Sequence, residues 1–481
     1  MPQKIEMIHA YIVALWAKIV YFISQNLLRF ILPDPYIEAG NIRVNEKPMY
    51  ESRVTMTEII SPAHANLKGL AYAGTILGWI DIAAGLAAKR HSASPSVTRS
   101  VDDVAFLHPV KVGDIITIQA SVNKSWNTSM EVGVKVEAES PLTGERFFVA
   151  HAYLTFVALS PRPSPRTFLG RKLAEFHPTH VPTIVPLSDM EKKRFEMAET
   201  RRKARLERKL PGHAGIRELM HAWSQGRKEH ADDDAPIIPH PILNQLHHHD
   251  NDCDDESQAD KEGESESHDL RSRALSALKR VNRRFSSDPR MVQPKERRME
   301  RTFTEVVELV MPQHANTLSI TFGGQIMAWM EICAIASANR LARAYLLTAS
   351  IDSLTFLIPT RVGDVVTIRG IVSRSYNSSM EVYVSVESEN LKTGERKFTN
   401  DGFFTIAAID DAYVPVKVAK AIPQAEAEYA LFEGSYERRA KRLAQRTELL
   451  QIINSKTPPR SPVAHPIDKA ALESILSSVS I

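Results

Sequence analysis

The sequence predicts an α+β fold built from two copies of one unit, in which a long central helix is wrapped by an antiparallel sheet of about five strands. The first observation behind this prediction is an internal repeat: residues 62–159 align with residues 312–409 without a gap, and 40 of the 98 aligned positions are identical. The second is a change of hydrophobic period within each copy, from helix-like to strand-like. An apolar helix needs cover and a sheet needs a partner for its buried face, so the two pack together.

The elements of the first copy follow one another in a fixed order. Residues 69–88 are apolar or small on every side, as expected of a helix that is buried on nearly all faces. A strand is predicted before this helix, around residues 54–60. Four more follow it, because β-branched and alternating segments are separated by turn residues. Residues 196–209 are basic and have a counterpart in residues 433–446, so each copy ends in a basic helical tail.

The repeat divides the chain of 481 residues into five segments. We predict an apolar N-terminal segment (1–35), a first unit with its tail (53–209), a disordered linker (210–300), a second unit with its tail (301–446) and a C-terminal tail (447–481). Within the linker, residues 247–269 are acidic and rich in histidine, a composition that cannot offset its ordering entropy. We interpret this tract as solvated, with metal binding by its side chains as the alternative.

Charge, cysteine content and motifs exclude several classes of protein. The 60 basic and 57 acidic residues give a net charge of +3, which is too small to favour binding to nucleic acid. The cysteines, Cys253 and Cys333, cannot form a disulfide framework or a CxxC zinc site, which favours a reducing compartment. Neither a GxSxG nucleophile elbow, a GxxxxGK phosphate loop nor an HExxH metal site occurs.

The N-terminal residues 5–32 leave the location of the protein open. They are strongly apolar but contain Glu6, Lys18 and Arg29, whereas a bilayer core needs about 20 consecutive apolar residues. A marginal signal anchor, an interfacial helix and a helix packed against the folded body all fit this pattern. The segment lacks the features of a cleaved signal peptide and of a standard mitochondrial presequence. We expect a cytoplasmic location, with membrane association through this segment and a mitochondrial location as alternatives.

One acidic residue lies inside each predicted central helix. Asp81 is the only charged residue between Lys68 and Lys89, and Glu331 occupies the matching position in the second copy. A carboxylate is rarely buried without a partner or a purpose. One interpretation is an acid satisfied by nearby backbone or hydroxyl groups, or located at a domain interface. The other is a general base that activates water, a role that contributes about 10² to 10⁴ in rate.

Several motifs carry a resemblance to a known family. They are AGTILGWIDIAA (73–84), VGD (112–114 and 362–364), SMEV (129–132 and 379–382), RRKARL (201–206) and HANTLSITFGGQIMAWME (314–331). With these motifs the chain resembles the tandem-hotdog acyl-CoA thioesterases of the cytosolic acetyl-CoA hydrolase and brown-fat-inducible type. The resemblance covers residues 53–209 and 302–446. Relatives of this type often carry a C-terminal lipid-binding START domain, which we expect this chain to lack.

The resemblance implies a double hotdog fold and the hydrolysis of acyl-CoA to a free acid and CoA, without a metal or other cofactor. It also implies a homo-oligomer, such as a trimer of double hotdogs. In the family the acid of one copy faces the helix start of the other. This pairs Asp81, as the base, with Gly323 and Gly324 as oxyanion donors and with Asn316 as a polar partner. The CoA contacts implied are Arg99, Ser100 and Val101 after the central helix, Thr128, Ser129 and Met130 in the SMEV turn, and Lys203 in the basic tail.

The chain departs from the family pattern at one catalytic position. The family has an asparagine where this chain has Ile320, whose side chain cannot donate a hydrogen bond. A catalytically weakened acyl-CoA-binding protein of the same fold is therefore the second hypothesis, and a membrane-tethered scaffold is the third. Facing Glu331, the first copy has Ala73 in place of the first glycine, and glutamate is one methylene longer than aspartate. We therefore expect one working site per chain, at Asp81.

Overall fold

The computed structural model of the chain describes residues 45–161, 167–168, 171–172, 176–207, 212–229 and 296–454. The apolar N-terminal segment, the acidic and histidine-rich tract and the end of the C-terminal tail lie outside these residues. Among the helices that the structure describes, none is long and apolar enough to cross a membrane.

The first copy contains one long central helix, the strands that cover it and a helical tail. Its elements are β1 (Glu46–Pro48), β2 (Val54–Ile59), α1 (Ala73–Ser92), β3 (Ser96–Val101), β4 (Val104–Ala105), β5 (Ile115–Ser125), β6 (Ser129–Ser140), β7 (Glu145–Pro161), β8 (Thr167–Phe168), β9 (Arg171–Lys172), β10 (Phe176–Pro178), β11 (Thr183–Val185) and α2 (Asp189–Glu207). A further helix, α3 (Ala214–Glu229), follows the tail.

The second copy repeats the order of the central helix and the longer strands. Its elements are β12 (Glu296–Arg298), β13 (Thr304–Leu309), α4 (Gly323–Ala342), β14 (Tyr345–Ile351), β15 (Leu354–Thr355), β16 (Asp364–Ser375), β17 (Ser379–Asn390), β18 (Glu395–Ile409), β19 (Lys420–Ile422), α5 (Glu426–Glu433) and α6 (Ser435–Asn454). The predicted α+β fold, with a central helix and an antiparallel sheet in each copy, is confirmed.

Two antiparallel sheets cover the central helices, and each sheet contains strands of both copies. The first has the order β15-β3-β7-β6-β5-β2, and the second has the order β13-β16-β17-β18-β14-β4. Strand β15 of the second copy pairs with β3 through Leu354 and Val101. Strand β4 of the first copy pairs with β14 through Val104 and Ile351. The copies therefore exchange a short strand, which joins them into one double hotdog.

The central helices α1 and α4 cross closely because small residues lie where they meet. A Cβ atom added to Gly324 would lie 2.7 Å from the Cα atom of Gly78 and 2.9 Å from the Cβ atom of Asp81. A Cβ atom added to Gly74 would lie 2.7 Å from the Cα atom of Ala328. Two backbones this close leave no room for a side chain. These glycines therefore set the distance between the helices.

Buried ion pairs hold the basic tail of each copy on its own sheet. The fully buried carboxylate of Glu131 accepts hydrogen bonds from Arg201 (2.5 Å) and Arg205 (2.6 Å) of α2. In the second copy, Glu381 is bound in the same way by two arginines of α6. Breaking a buried pair typically costs about 3 to 5 kcal/mol, because the remaining charge loses its partner. The basic tails are therefore part of the folded units.

The prediction of a disordered linker over 210–300 is wrong for part of its length, because α3 lies inside it. Ile216 and Met220 of this helix are buried, and Trp223 packs edge-on against Phe303 of the second copy with 5.7 Å between ring centroids. These three positions recur at helical spacing and form one apolar stripe. A stripe of three residues in a polar segment gives little signal in the sequence, but it is enough to dock the helix on the second copy.

We expect Gly324→Ala to destabilise the protein, because a Cβ atom there would overlap the backbone of α1. Overpacking of this kind typically costs about 1 to 3 kcal/mol, which urea unfolding would detect as a lower midpoint. Gly78→Ala is the matched control in the same crossing. Apart from its two chain neighbours and the backbone of its own helix, no atom of the described residues lies within 4 Å of its added Cβ atom. Alanine is favoured over glycine inside a helix by about 0.5 to 1 kcal/mol. Equal destabilisation by the two substitutions would contradict the tight crossing.

Candidate active site

The predicted base Asp81 lies in the middle of α1 and is 3% exposed. One of its carboxylate oxygens accepts a hydrogen bond from the hydroxyl of Thr98 (2.6 Å). The other accepts one from the backbone N–H of Gly324 at the start of α4 (3.0 Å). Burial raises the pKa of Asp81 above its ordinary value, although both donors act in the opposite direction. A raised pKa makes the carboxylate a stronger base.

Glu331 occupies the matching position in α4 and repeats this arrangement. Its carboxylate accepts hydrogen bonds from the backbone N–H groups of Ala73 (3.1 Å) and Gly74 (2.6 Å) at the start of α1, and from the hydroxyl of Thr348. Burial raises the pKa of Glu331 as well. Each acid is thus held at the positive end of the other copy's helix, where a negative charge is favoured. The structure brings each acid to the helix start of the other copy, as the sequence predicts for Asp81.

The expected oxyanion role of Gly323 and Gly324 is not met in this arrangement. The backbone N–H of Gly324 donates to Asp81, and that of Gly323 also acts on the same carboxylate and lowers its pKa. The physical reason is that a buried carboxylate is costly unless donors replace the water it has lost. The helix start therefore stabilises the acid itself.

Asparagine side chains organise the loops that precede both central helices. The side-chain oxygen of Asn66 accepts hydrogen bonds from the backbone N–H groups of Lys68 (2.9 Å) and Leu70 (3.1 Å). Asn316 makes the same two bonds in the second copy. The side-chain oxygens of both asparagines are therefore occupied by the loop. Their amide NH₂ groups can donate to a ligand.

Ile320, at the position where the resemblance leads us to expect an asparagine, is an apolar residue of its loop. It is 7% exposed, and its counterpart Leu70 is fully buried. Its backbone carbonyl accepts a hydrogen bond from the N–H of Asn316 (2.9 Å), and its own N–H donates to the side chain of that residue (3.2 Å). An apolar side chain at such a buried position leaves no polar group without a partner. The asparagine side chain that this loop does supply is that of Asn316.

A cavity of about 60 Å³ lies between the two copies beside Glu331. Its polar lining is formed by Asn66, His108, Glu331 and Thr348, and most of the remaining lining is apolar. The volume is sufficient for a few water molecules. The sequence predicts the working site at Asp81, whereas this cavity lies at the acid of the other copy.

Sequence reasoning does not identify Thr98, Thr348 or His108. The threonines could have been found, because both repeats place a threonine 17 residues after the acid. His108 gives no such signal, since the matching residue is Ile358. Its Nδ1 atom lies 2.7 Å from the carbonyl oxygen of Phe148. Nδ1 therefore carries a hydrogen, and Nε2 is the acceptor of the neutral ring.

Three of the residues predicted to contact CoA lie together at the surface of the first copy. The turn that carries Thr128 and Ser129 adjoins α2, because the indole N–H of Trp126 donates to Glu199 of that helix (3.0 Å). Lys203 lies on the same helix and is exposed. The SMEV turn and the basic tail are therefore neighbours.

The other predicted CoA contacts lie on strands or at the junction of the copies. The guanidinium group of Arg99 donates to two backbone carbonyl groups of the second copy, and Ser100 is the next residue of β3. Val101 and Met130 are 2% and 0% exposed. Their burial contradicts the prediction that the side chains of these two residues contact CoA. Successive side chains of a strand point to opposite faces, and these two point into the core.

Comparison with known proteins identifies the family of the chain. The profile described as "Thioesterase superfamily" matches residues 68–145 and 318–395, which is one match in each copy. The uncharacterized acyl-CoA thioester hydrolase YkhA of Bacillus subtilis (strain 168) is 34% identical over 146 residues, which cover 30% of this chain and 85% of that protein. The chain therefore belongs to the thioesterase superfamily and carries the hotdog unit twice in tandem.

Longer relatives match both copies at once. Acyl-coenzyme A thioesterase 11 of Mus musculus is 30% identical over 374 residues, or 78% of this chain. Acetyl-coenzyme A thioesterase of Rattus norvegicus is 29% identical over 404 residues, or 83% of this chain. The chain spans only 50% and 59% of the length of these two proteins.

Solved structures also match single copies of the chain. An apo-hexameric acyl-CoA thioesterase is 37% identical, covers 32% of this chain and 97% of its own, and has a TM-score of 0.31. An acyl-CoA hydrolase from Staphylococcus aureus in complex with butyryl coenzyme A, coenzyme A and coenzyme A disulfide is 34% identical. It covers 33% of this chain and 92% of its own, with a TM-score of 0.29.

The raised pKa of Glu331 predicts a pH-dependent effect of Glu331→Gln on stability. An acid whose pKa is raised by folding stabilises the protein below its ordinary pKa, and this contribution is lost as the pH rises through the raised value. We expect the Tm of the wild type to fall relative to that of the variant as the pH rises above the ordinary pKa of glutamate, which is about 4.3. Glu145→Gln, at an exposed position, serves as the control. A Tm difference that is constant with pH would contradict the desolvation of Glu331.

Proposed function

We propose that this member of the thioesterase superfamily hydrolyses acyl-CoA thioesters to a free acid and CoA. The observation that carries the proposal is the buried carboxylate of Glu331 at a cavity between the copies, together with the amide of Asn66. The relatives named as acyl-CoA thioesterase and acyl-CoA thioester hydrolase support this substrate class.

The cavity supplies the groups that thioester hydrolysis needs. The carboxylate of Glu331 takes a proton from water while the water oxygen attacks the carbonyl carbon of the thioester. The amide N–H of Asn66 donates to the oxyanion that forms, and one such donor typically contributes about 3 kcal/mol. The C–S bond then breaks, the thiolate of CoA leaves and accepts the proton, and the acid is released. These steps require no metal or organic cofactor.

Asp81 is the base of a second site in the same proposal, with Asn316 as its amide donor. Both acids have a hydroxyl donor and a helix-start donor, so their immediate surroundings are alike. The cavity favours Glu331 as the main base, whereas the sequence alone favours Asp81. Glutamate is the longer side chain, and the bonds from Ala73 and Gly74 fix the position of its carboxylate.

For CoA we propose a groove along the first copy. Lys203 contacts a phosphate as a point charge, and the SMEV turn with Thr128 and Ser129 lies beside it. Arg99 and Ser100 contact the part of CoA closer to the junction of the copies. The exposure of Lys203 and the neighbouring position of the turn support this arrangement.

A catalytically weakened acyl-CoA-binding protein is the second candidate function. The observation that favours it is Ile320, which anchors its loop with an apolar side chain where the family has a catalytic asparagine. Such a protein would keep the CoA groove and the fold but release no thiol.

We further propose that the chain forms a homo-oligomer in the cytoplasm, as a trimer of double hotdogs. Apolar side chains on the central helices support an association of this kind, because Ile82, Leu86 and Ile332 are 38%, 45% and 50% exposed. A hexameric thioesterase is among the similar solved structures. We also propose that the apolar N-terminal segment, residues 5–32, associates with a membrane.

Substitution of each acid should separate the two sites. We expect Glu331→Gln to lower kcat by about 10² to 10⁴, because it removes the base but keeps the shape of the side chain. We expect Asp81→Asn to lower it less, and Glu145→Gln, the exposed control, to leave it unchanged. The measurement is release of free thiol from a series of acyl-CoAs, with CoA affinity determined in parallel.

A larger loss of kcat in Asp81→Asn than in Glu331→Gln would make Asp81, in the first copy, the main base. A wild-type protein that binds CoA but releases no thiol from any acyl-CoA would support the binding protein instead.

Light scattering tests the proposed assembly. We expect the full chain to have a mass well above the 53.9 kDa of one chain. Leu86→Glu should lower it, because a charge would enter the apolar surface between chains. Exposed Leu142, at the tip of the hairpin between β6 and β7, provides the control Leu142→Glu. A strict monomer at micromolar concentration would contradict the assembly without affecting the fold.

A further inference from the structure

Lys68 fastens the loop of Asn66 to the second copy. Its ammonium group lies 2.5 Å from a carboxylate oxygen of Asp411 and donates to the carbonyl oxygen of the same residue (3.1 Å). It also lies 4.3 Å from the ring centroid of Tyr345 and 5.7 Å from that of Tyr413. The lysine side chain is 15% exposed. Cation–π contacts are strongest when the charge is shielded from water in this way.

A small apolar cluster holds the same loop a few residues further on. Leu70 is fully buried against Ile409 of β18, and Tyr345, Leu347 and Tyr413 pack against this pair. Leu70 is the one member of this cluster from the first copy. The loop is therefore attached to the second copy twice, by the charge of a lysine and by the packing of a leucine.

These attachments border the Glu331 cavity. Asn66, Leu347 and Tyr413 all line the cavity. The backbone N–H of Lys68 donates to the side-chain oxygen of Asn66 (2.9 Å), so a displacement of the lysine also displaces the amide. A shift of about 1 Å in a catalytic group can cost about 100-fold in rate.

We propose that Lys68 is a positioning residue for Asn66. Together with Asp411, Tyr345 and Tyr413 it forms the Lys68 clamp, which holds the amide of Asn66 in the geometry that hydrolysis at this cavity requires. The inference rests on the proposed function, because it concerns the rate of that reaction.

The clamp makes the two sites of the chain unequal. In the second copy the residue that matches Lys68 is Leu318, which offers no charge for an ion pair or for a cation–π contact. The loop of Asn316 depends instead on apolar packing and backbone bonds, such as those of Ile320. The rate at the Glu331 cavity therefore depends on the clamp, and the rate at Asp81 does not.

Lys68→Met tests the clamp, because methionine keeps an unbranched stem and removes the charge. We expect kcat to fall about tenfold and KM to change less than about twofold, since the groups proposed to bind CoA lie elsewhere. Lys68→Arg keeps the charge and the stacking and should restore most of kcat. The matched control is Lys392→Met, an exposed lysine in the hairpin between β17 and β18.

Two double variants locate the effect. Combined with Glu331→Gln, Lys68→Met should cause no further loss of kcat, because the site it serves is already inactive. Combined with Asp81→Asn, it should cause the full tenfold loss. The reverse pattern would overturn the proposal, as would a kcat for Lys68→Met equal to that of the wild type.

Hydrogen exchange separates the clamp from the reaction. The backbone N–H of Leu70 donates to Asn66, and that of Tyr72 donates to His64 (2.9 Å), so both report the order of the loop. In Lys68→Met we expect faster exchange at these two groups, whether or not the protein hydrolyses thioesters. Unchanged exchange would overturn the clamp. Faster exchange in an inactive protein would support the clamp and overturn only the proposed reaction.

Discussion

Each buried carboxylate depends on the helix start of the other copy, and the arrangement of the whole molecule follows from this reciprocal need. Asp81 accepts a hydrogen bond from Gly324, and Glu331 accepts hydrogen bonds from Ala73 and Gly74. A carboxylate taken out of water costs several kcal/mol unless donors replace the lost water. Each copy supplies a threonine hydroxyl to its own acid, whereas the backbone N–H donors come from the other copy. The helices must therefore approach until their backbones touch, which glycine at the crossing permits.

The two copies share the buried carboxylate and its donors but differ in the residues around them. The threonine that donates to each acid is the same in both copies, whereas His108 is matched by Ile358 and Lys68 by Leu318. A change next to a buried carboxylate is costly, because an unpartnered polar group is left behind. A substitution further from the acid, as at His108 or Lys68, leaves no donor missing from the carboxylate. The chain therefore keeps two similar acid sites with two different approaches.

The fold could be predicted from the sequence because the internal repeat and the hydrophobic period can both be read from the order of the residues. The acids could be found as well, since a single charge stands out in an apolar helix. Their donors could not, because the N–H of Gly324 is a backbone group and no side chain marks it. Nor could the cavity beside Glu331, which depends on how the loop of Asn66 packs against strands far away in the chain. Helix α3 could not be predicted from the sequence either, because its apolar stripe has only three residues.

The exchange of β4 and β15 has a consequence for how the chain folds. Each copy presents a strand edge that only a strand of a partner copy completes, and an open edge pairs with any suitable strand. A second chain carries the same strands, so closure within one chain competes with domain swapping between chains. The effective concentration of the linked copy decides this competition, and it falls as the connecting segment lengthens. The length of the segment between the copies and the concentration of the protein during folding therefore govern how many chains close on themselves.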